Sequence, residues 1–260
     1  MSSKSFTVSL INSKIRPFKK IITVDSDKSL SIRCFLLGSI CQGISTANNV
    51  LESDDVKSTI LACRKLGVKI IKTKPRCYKI YGKGLGSFIA KKNIIINFGN
   101  SGTLARLLIG ILSTNPNIEI NIKGDHSLNK RSMKKLIDLM SKFGTLFFPK
   151  NKQTFPLKII SSQIPIGIRY KAGVSAQLKS AVILAGLNSY GNTIIEEKIS
   201  SRDHTENLLK NNTNSIKIKR GKKKIIKIFG KNYLKPLHLD VSGDPSSAAF
   251  FTCLLYTSDA

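Results

Sequence analysis

Internal repetition constrains this chain more than any other feature. The stretch from Ser29, SLSIRCFLLGSICQGISTANNVLESDDVKSTILACRKLGVKI, parallels the stretch from Ser175, SAQLKSAVILAGLNSYGNTIIEEKISSRDHTENLLKNNTNSIKI. Each opens with a helix of small and apolar residues and reaches a glycine, Gly43 or Gly191, where left-handed backbone is expected. Each then passes through a short extended segment to a serine, Ser53 or Ser201, suited to cap the next helix. The glycine-to-serine interval is ten residues in both. A third, less regular copy lies between them. It runs from the Gly102 helix through the alternating strand NIEINIKG to SMKKLIDLMSKFG, where Met133, Leu136, Ile137, Met140 and Phe143 make a 3.6-period stripe ending at Gly144. Copies of a helix–strand–helix–strand unit are expected to bury one shared core, which makes the fold α/β (α+β). A fourth helix is read at GDPSSAAFF, residues 243–251, and the closing CLLYTSDA resembles translated sequencing-adapter sequence rather than protein. The interrupted repeat therefore reads as a truncated chain.

Composition narrows the function. Apolar residues make up 41%, too many for wholesale disorder, and no apolar run reaches transmembrane length. The N-terminal MSSKSFTVSLINSK has no continuous apolar core of a secretory signal, so a cytoplasmic chain is expected. Cys34, Cys41, Cys63, Cys77 and Cys253 form no CxxC pair, which argues against a zinc site or a disulfide framework; the first three fall in apolar helical patterns and read as small buried hydrophobes. His126, His204 and His238 are scattered without metal-ligand spacing, and Asp203-His204 beside Arg202 could mimic a catalytic dyad but reads as polar residues facing solvent. No GxSxG, Walker A or GxGxxG motif is present. The formal net charge of +28 has two explanations, a nucleic-acid binder or an anion-binding enzyme with lysine on its solvated faces. The lysines are dispersed and aromatics are only 7% with no tryptophan, which favours the enzyme.

Four helix starts gather residues that suit anions. In SDKSLSIR, Asp27 or Ser29 can cap a helix, Ser29 and Arg33 share a face, and Lys28 stands just ahead. In NFGNSGTLARLL, Gly99 and Gly102 allow close backbone approach to a ligand at a helix N-terminus. In GDHSLNKRSMKK, Arg131 stands beside Lys130 at a helix entrance, where the dipole disfavours a cation unless an anion binds there. In GVSAQLKSAVILAGL, Ser175 and Gln177 open an otherwise apolar helix after Gly173. Each start taken alone also fits an ordinary capped helix. Their recurrence at one place in each repeat points to a shared anionic-ligand pocket.

DKSLSIR, LESDDV, GNSGTLAR, GDHSLNKRSM, VSAQLKSAVILAGL, SRDHTE and GDPSSAAFF, in that order from Asp27 to Phe251, resemble the 5-enolpyruvylshikimate-3-phosphate synthase family. SAQxKSA with SRDHTE is similar to the subgroup that includes bacterial glyphosate-tolerant forms. The resemblance implies an enolpyruvyl transferase-like two-domain fold of repeated βαβαββ units. Residues 27–242 would be a complete domain of three units. Residues 1–26 and 243–260 would belong to an incomplete second domain, with a non-native tail at 253–260. It also implies transfer of the carboxyvinyl group of phosphoenolpyruvate to the 5-hydroxyl of shikimate 3-phosphate, without cofactor or metal, by a cytoplasmic monomer that binds neither nucleic acid nor membrane. Lys28 would be catalytic and contact both substrates. Ser29, Arg33, Ser175, Ala176, Gln177, Ser201 and Arg202 would hold shikimate 3-phosphate, and Gly102 and Arg131 phosphoenolpyruvate. Two departures stand out: Ile32 where the family has His, and Ser132 where it has Pro. The family's catalytic acids lie in the half beyond this sequence, so the polypeptide alone is expected to be inactive. Alanine in place of Gly102 accompanies glyphosate resistance in the family, so glycine here implies sensitivity. The related UDP-N-acetylglucosamine enolpyruvyl transferase is the nearest rival, but its reactive-cysteine loop has no counterpart here and DKSxSxR suits the shikimate enzyme better.

Overall fold

A computed structural model describes residues 21–91, 93–210 and 214–258. The sequence expectations for residues 1–20, and for residues 259–260 of the suspected tail, lie outside the described residues. The chain divides into two compact units, Ser26–Ser242 and a smaller one of Met1–Asp25 with Gly243–Ala260.

The larger unit carries three copies of one topology. The first copy has α1 (Lys28–Ile40), β1 (Gln42–Asn48), α2 (Asp54–Lys65), β2 (Lys69–Lys74) and β3 (Cys77–Lys83). The second has β4 (Ile95–Asn97), α3 (Gly102–Thr114), β5 (Glu119–Lys123), α4 (His126–Asn129), α5 (Lys134–Ser141), β6 (Leu146–Phe148) and β7 (Leu157–Ile160). The third has β8 (Arg169–Ala172), α6 (Ala176–Leu187), β9 (Asn192–Glu197), α7 (His204–Lys210), β10 (Ile216–Lys219) and β11 (Lys224–Phe229). A last strand, β12 (His238–Asp240), returns to pair parallel with β1, Ala47 opposite Leu239. Each four-stranded sheet then has the same order: a parallel first pair, with the last strand of the copy inserted antiparallel between the second and third. The βαβαββ unit expected from the sequence is present three times, and the first copy obtains its opening strand from the far end of the unit.

The first helix of each copy is apolar nearly all round, so it must be central. Phe35, Leu36 and Ile40 of α1, Leu104, Leu107 and Leu108 of α3, and Val182, Ile183 and Leu184 of α6 are all within 2% of full burial. α3 and α6 approach closely because position 110 is glycine: a Cβ there would stand 2.5 Å from the Ala181 carbonyl oxygen. The sheets lie outside this helical centre, with Ile80, Ile120, Ile159, Ile195 and Ile226 turned inward. Gly43 and Gly191 have φ of 101° and 76°, the left-handed backbone expected after α1 and α6. Met133, Leu136, Met140 and Phe143 are buried as the periodic stripe required, and Cys34, Cys41 and Cys63 are buried, free thiols.

The serine caps divide. Ser53 is the N-cap residue of α2 but makes no side-chain capping bond. Ser201 does not cap α7, which starts at His204; its hydroxyl instead donates to Glu197 Oε1 at 2.6 Å. A buried carboxylate within reach outcompetes the helix N–H groups, because a charge-assisted bond is stronger. In the smaller unit the helix foreseen at residues 243–251 is α8 (Pro245–Ser258), opened by Asp244 Oδ1 accepting from Ser246 N at 2.9 Å. Among the described residues no helix is long and apolar enough to cross a membrane.

Candidate functional site

The helix starts are built by local caps. Asp27 Oδ1 accepts from Leu30 N at 2.7 Å and opens α1, so Asp27 rather than Ser29 is the cap. Ser101 Oγ accepts from Leu104 N at 3.2 Å and opens α3. Ser175 Oγ accepts from Leu178 N at 3.4 Å and opens α6. Arg131 lies in the turn between α4 and α5, where Asp125 Oδ1 caps α4 through Leu128 N at 2.7 Å.

These starts meet. Lys28, Asp55, Asn100, Gly102, Thr103, Arg106, Arg131 and Gln177 line one cleft of about 400 Å³. Lys28 Nζ lies 3.0 Å from Asp55 Oδ2. Arg131 Nη2 donates to Asn100 Oδ1 at 3.0 Å and to Ser127 Oγ at 3.4 Å. Arg106 Nη1 donates to the Gly102 carbonyl at 3.0 Å and to Gln177 Oε1 at 2.9 Å, while Gln177 Nε2 donates to Thr103 Oγ1 at 3.0 Å. Gln177 is thereby locked between two residues of α3. Three cations thus face one carboxylate, the charge imbalance an anion site needs. Desolvation by burial and then the nearby Arg131 charge lower the Arg106 pKa, the second being the mark of a neighbouring cation. A Cβ on Gly102 would stand 2.7 Å from Arg106 Nη1 and 3.4 Å from Arg131 Nη1, so glycine leaves room for both guanidinium groups.

A second cluster surrounds Arg33, which is only 4% exposed. Its Nε donates to Thr205 Oγ1 at 2.8 Å, its Nη2 to Ser180 Oγ at 3.1 Å, and its Nη1 to the Ser29 carbonyl at 3.0 Å. Burial pushes the guanidinium down to about 10, well above neutral, so Arg33 remains a cation. Arg202 is exposed, and its charge is one of the influences felt by Arg33. A cavity of about 540 Å³ adjoins the cleft through Arg106 and Gln177 and takes in Ser175 and Tyr170. Ala176 is the partly buried first residue of α6. Of the residues singled out from the sequence, Lys28, Gly102, Arg131 and Gln177 come into one cleft and Ser175 lines its neighbour. Ser29 and Arg33 form the separate cluster with Thr205 and Ser180, and Ser201 turns to Glu197.

Sequence reasoning left out Arg106, Thr103 and Asn100, and quoted Asp55 only within a motif. Arg106 carried a usable signal: it stands four residues after Gly102, on the face that the helix start presents. The two departures have local accounts. Ile32 is fully buried and packs in the core, and Ser132 Oγ accepts from Lys134 N at 3.3 Å, satisfying a helix-start donor for which a proline at 132 would offer no side-chain acceptor. Among the described residues no group of three or more His, Cys, Asp or Glu is arranged to hold a metal.

Residues 13–255 match the family model of EPSP synthase (3-phosphoshikimate 1-carboxyvinyltransferase). The chain is 38% identical over 243 residues to 3-phosphoshikimate 1-carboxyvinyltransferase of Zymomonas mobilis, covering 93% of this chain and 53% of that protein. It is 41% identical over 231 residues to the Leuconostoc mesenteroides protein of the same name, covering 88% and 52%. The solved EPSP synthase of Acinetobacter baumannii superposes with a TM-score of 0.80 at 36% identity, over 88% of this chain and 51% of that one. The chain therefore spans about half the length of the curated relatives it matches. With the repeated fold, the ordered motifs and these matches in agreement, the chain belongs to the EPSP synthase family.

Proposed function

We propose that this chain supplies the shikimate-binding part of a 3-phosphoshikimate 1-carboxyvinyltransferase, which moves the carboxyvinyl group of phosphoenolpyruvate to the 5-hydroxyl of shikimate 3-phosphate and releases phosphate. The observation that carries the reading is the cleft itself: four helix starts, far apart in sequence, place Lys28, Arg106 and Arg131 around Gly102 and Gln177. Two phosphates and two carboxylates must be brought together for this reaction, and fixed cations offset their repulsion. In this reading Lys28 bridges both substrates. Ser29, Arg33, Ser175, Ala176, Gln177, Ser201 and Arg202 hold shikimate 3-phosphate. Gly102 and Arg131 hold phosphoenolpyruvate, with Arg106 as an addition drawn from the geometry.

The 5-hydroxyl oxygen gives up its proton to solvent or the departing phosphate and bonds to C2 of phosphoenolpyruvate, while C3 takes up a proton. The C2–O bond to phosphate then breaks, and C3 gives the proton back to restore the alkene. Positive charge near C2 and its substituents favours the tetrahedral stage. Asp55 is the one carboxylate lining the cleft among the described residues, and Lys28 holds it at 3.0 Å. The reading keeps the expectation that these 260 residues bind substrate without turning it over. The free buried thiols suit a reducing cytoplasm.

Calorimetric titration tests the assignment. Shikimate 3-phosphate should bind saturably and one to one, and Arg33→Ala should weaken it by about tenfold or more, the scale of one charged hydrogen bond. UDP-N-acetylglucosamine should give no binding. Absence of saturable binding by shikimate 3-phosphate overturns the proposal, and tight, steeply salt-dependent retention of nucleic acid on filters would favour a polyanion binder instead. A coupled phosphate-release assay with both substrates should read no turnover.

A further inference from the structure

Four charged side chains lie beneath the loop that carries Ser201 and Arg202. Lys179 of α6, Glu197 at the end of β9 and Glu206 of α7 are fully buried, and Lys224 at the start of β11 is largely so. Lys179 Nζ sits 2.9 Å from Glu197 Oε1 and 2.7 Å from Glu206 Oε1. Lys224 Nζ approaches the same two carboxylates at 3.4 and 3.2 Å. The loop is tied directly to this quartet. Glu197 Oε1 accepts from both the Ser201 amide at 2.8 Å and the Ser201 hydroxyl at 2.6 Å, and Lys179 Nζ donates to the Ser201 carbonyl at 3.4 Å.

The quartet reaches Arg33 as well, through the neighbouring residues of the same two helices. Ser180 follows Lys179 on α6, and Thr205 precedes Glu206 on α7. Thr205 Oγ1 donates to Ser180 Oγ at 2.9 Å, and both hydroxyls accept from Arg33. The Lys179–Glu206 pair therefore fixes the register in which the hydroxyl pair grips Arg33. Burying ions costs several kcal/mol each, and well-packed apolar residues often stabilise a fold as well or better. What directed ion pairs add is orientation. We infer that Lys179, Glu197 and Glu206 are positioning residues for the shikimate 3-phosphate site, holding the Ser201 loop and the Arg33 guanidinium in their binding geometry; this rests on the function proposed above.

A double-substitution cycle on the full chain separates positioning from a merely structural role. Glu197→Gln should weaken shikimate 3-phosphate binding by about tenfold, the coupling expected within one hydrogen-bond network, and should have a clearly smaller effect in a Ser201→Ala background, where only the backbone amide still ties the loop to residue 197. Hydrogen exchange supplies an independent readout: the Ser201 amide should be protected in the unaltered chain and less protected in Glu197→Gln, whose neutral oxygen is a weaker acceptor. Glu206→Gln, which keeps the shape, serves as the second variant if Glu197→Gln does not fold, and should weaken binding while sparing the Ser201 amide. Equal effects of Glu197→Gln in both backgrounds, or unchanged binding despite a deprotected Ser201 amide, would overturn the inference. Failure of the unaltered chain to bind shikimate 3-phosphate would instead remove the functional reading beneath it, while the amide measurement would still show whether Glu197 pins the loop.

Discussion

The cleft and the buried quartet are both made of charges, yet they are built in opposite ways. In the cleft, Lys28, Arg106 and Arg131 face a single carboxylate and remain open to solvent. In the quartet, Lys179 and Lys224 are matched by Glu197 and Glu206, all of them buried except for the edge of Lys224. Unbalanced charge is tolerable where solvent or a ligand anion can complete it, and balanced charge is required where neither can reach. The contrast separates residues that meet substrate from residues that aim them.

The largest expected effect is on the buried side. Lys179→Met leaves two carboxylates sharing Lys224 alone and should destabilise the fold by about 3–5 kcal/mol, read from the denaturant midpoint. Arg131→Ala, in the cleft, should cost about 1.5–3 kcal/mol of binding to phosphoenolpyruvate, tested in the presence of shikimate 3-phosphate, and leave stability nearly untouched. If both substitutions act mainly on stability, the division between the two regions fails.

Acid sharpens the comparison. Burial raises the Glu197 carboxyl, but hydrogen bonds from the Ser201 hydroxyl, Lys179 and the Ser201 amide outweigh it and hold the group at about 2, below its ordinary 4.5. A depressed carboxylate contributes stability that is fully present above pH 4.5 and is lost as pH falls toward 2. Glu52 is held at about 2 by Lys72 and Tyr78 and adds loss in the same window, so the difference between the unaltered chain and Glu197→Gln isolates the quartet. Denaturation midpoints taken from pH 7 down to pH 3 should converge for the two proteins. Parallel curves would show that Glu197 is not held as described.

The smallest effect concerns Gly102. Its backbone admits alanine, but the new methyl would press on Arg106 Nη1, the flexible end of a side chain. Gly102→Ala should change stability by less than about 0.5 kcal/mol, while weakening glyphosate more than phosphoenolpyruvate in a full-length enzyme carrying this sequence. Equal weakening would mean that the methyl displaces the guanidinium groups rather than crowding the inhibitor.

What could be read from the sequence was what is local. The cap of α1, offered as Asp27 or Ser29, the stripe along α5 and the glycines after α1 and α6 each follow from residues a few positions apart. The links missed are long-range ones. Arg106 meets Gln177 across 71 residues, and β12 completes the first sheet with Leu239 beside Ala47. Lys179 was hidden by context: in a chain of 43 Lys and Arg, one more lysine passes for a solvated one. The usable signal was its place in QLKSAVILAGL, where a lone cation on an otherwise apolar helix must be buried and paired. Ser201 was misread as a helix cap because the competing carboxylate, Glu197, sits at the end of the preceding strand.

The central claim is that separate helix starts form one anion site. Backbone amide NMR of the full chain, titrated with shikimate 3-phosphate and phosphoenolpyruvate together, tests it most directly. Saturable shifts gathered at Lys28–Ser29, Gly102–Thr103, Arg131 and Ser175–Gln177 are predicted. Shifts spread over the lysine-rich β10–β11 hairpin, or none that saturate, would contradict it.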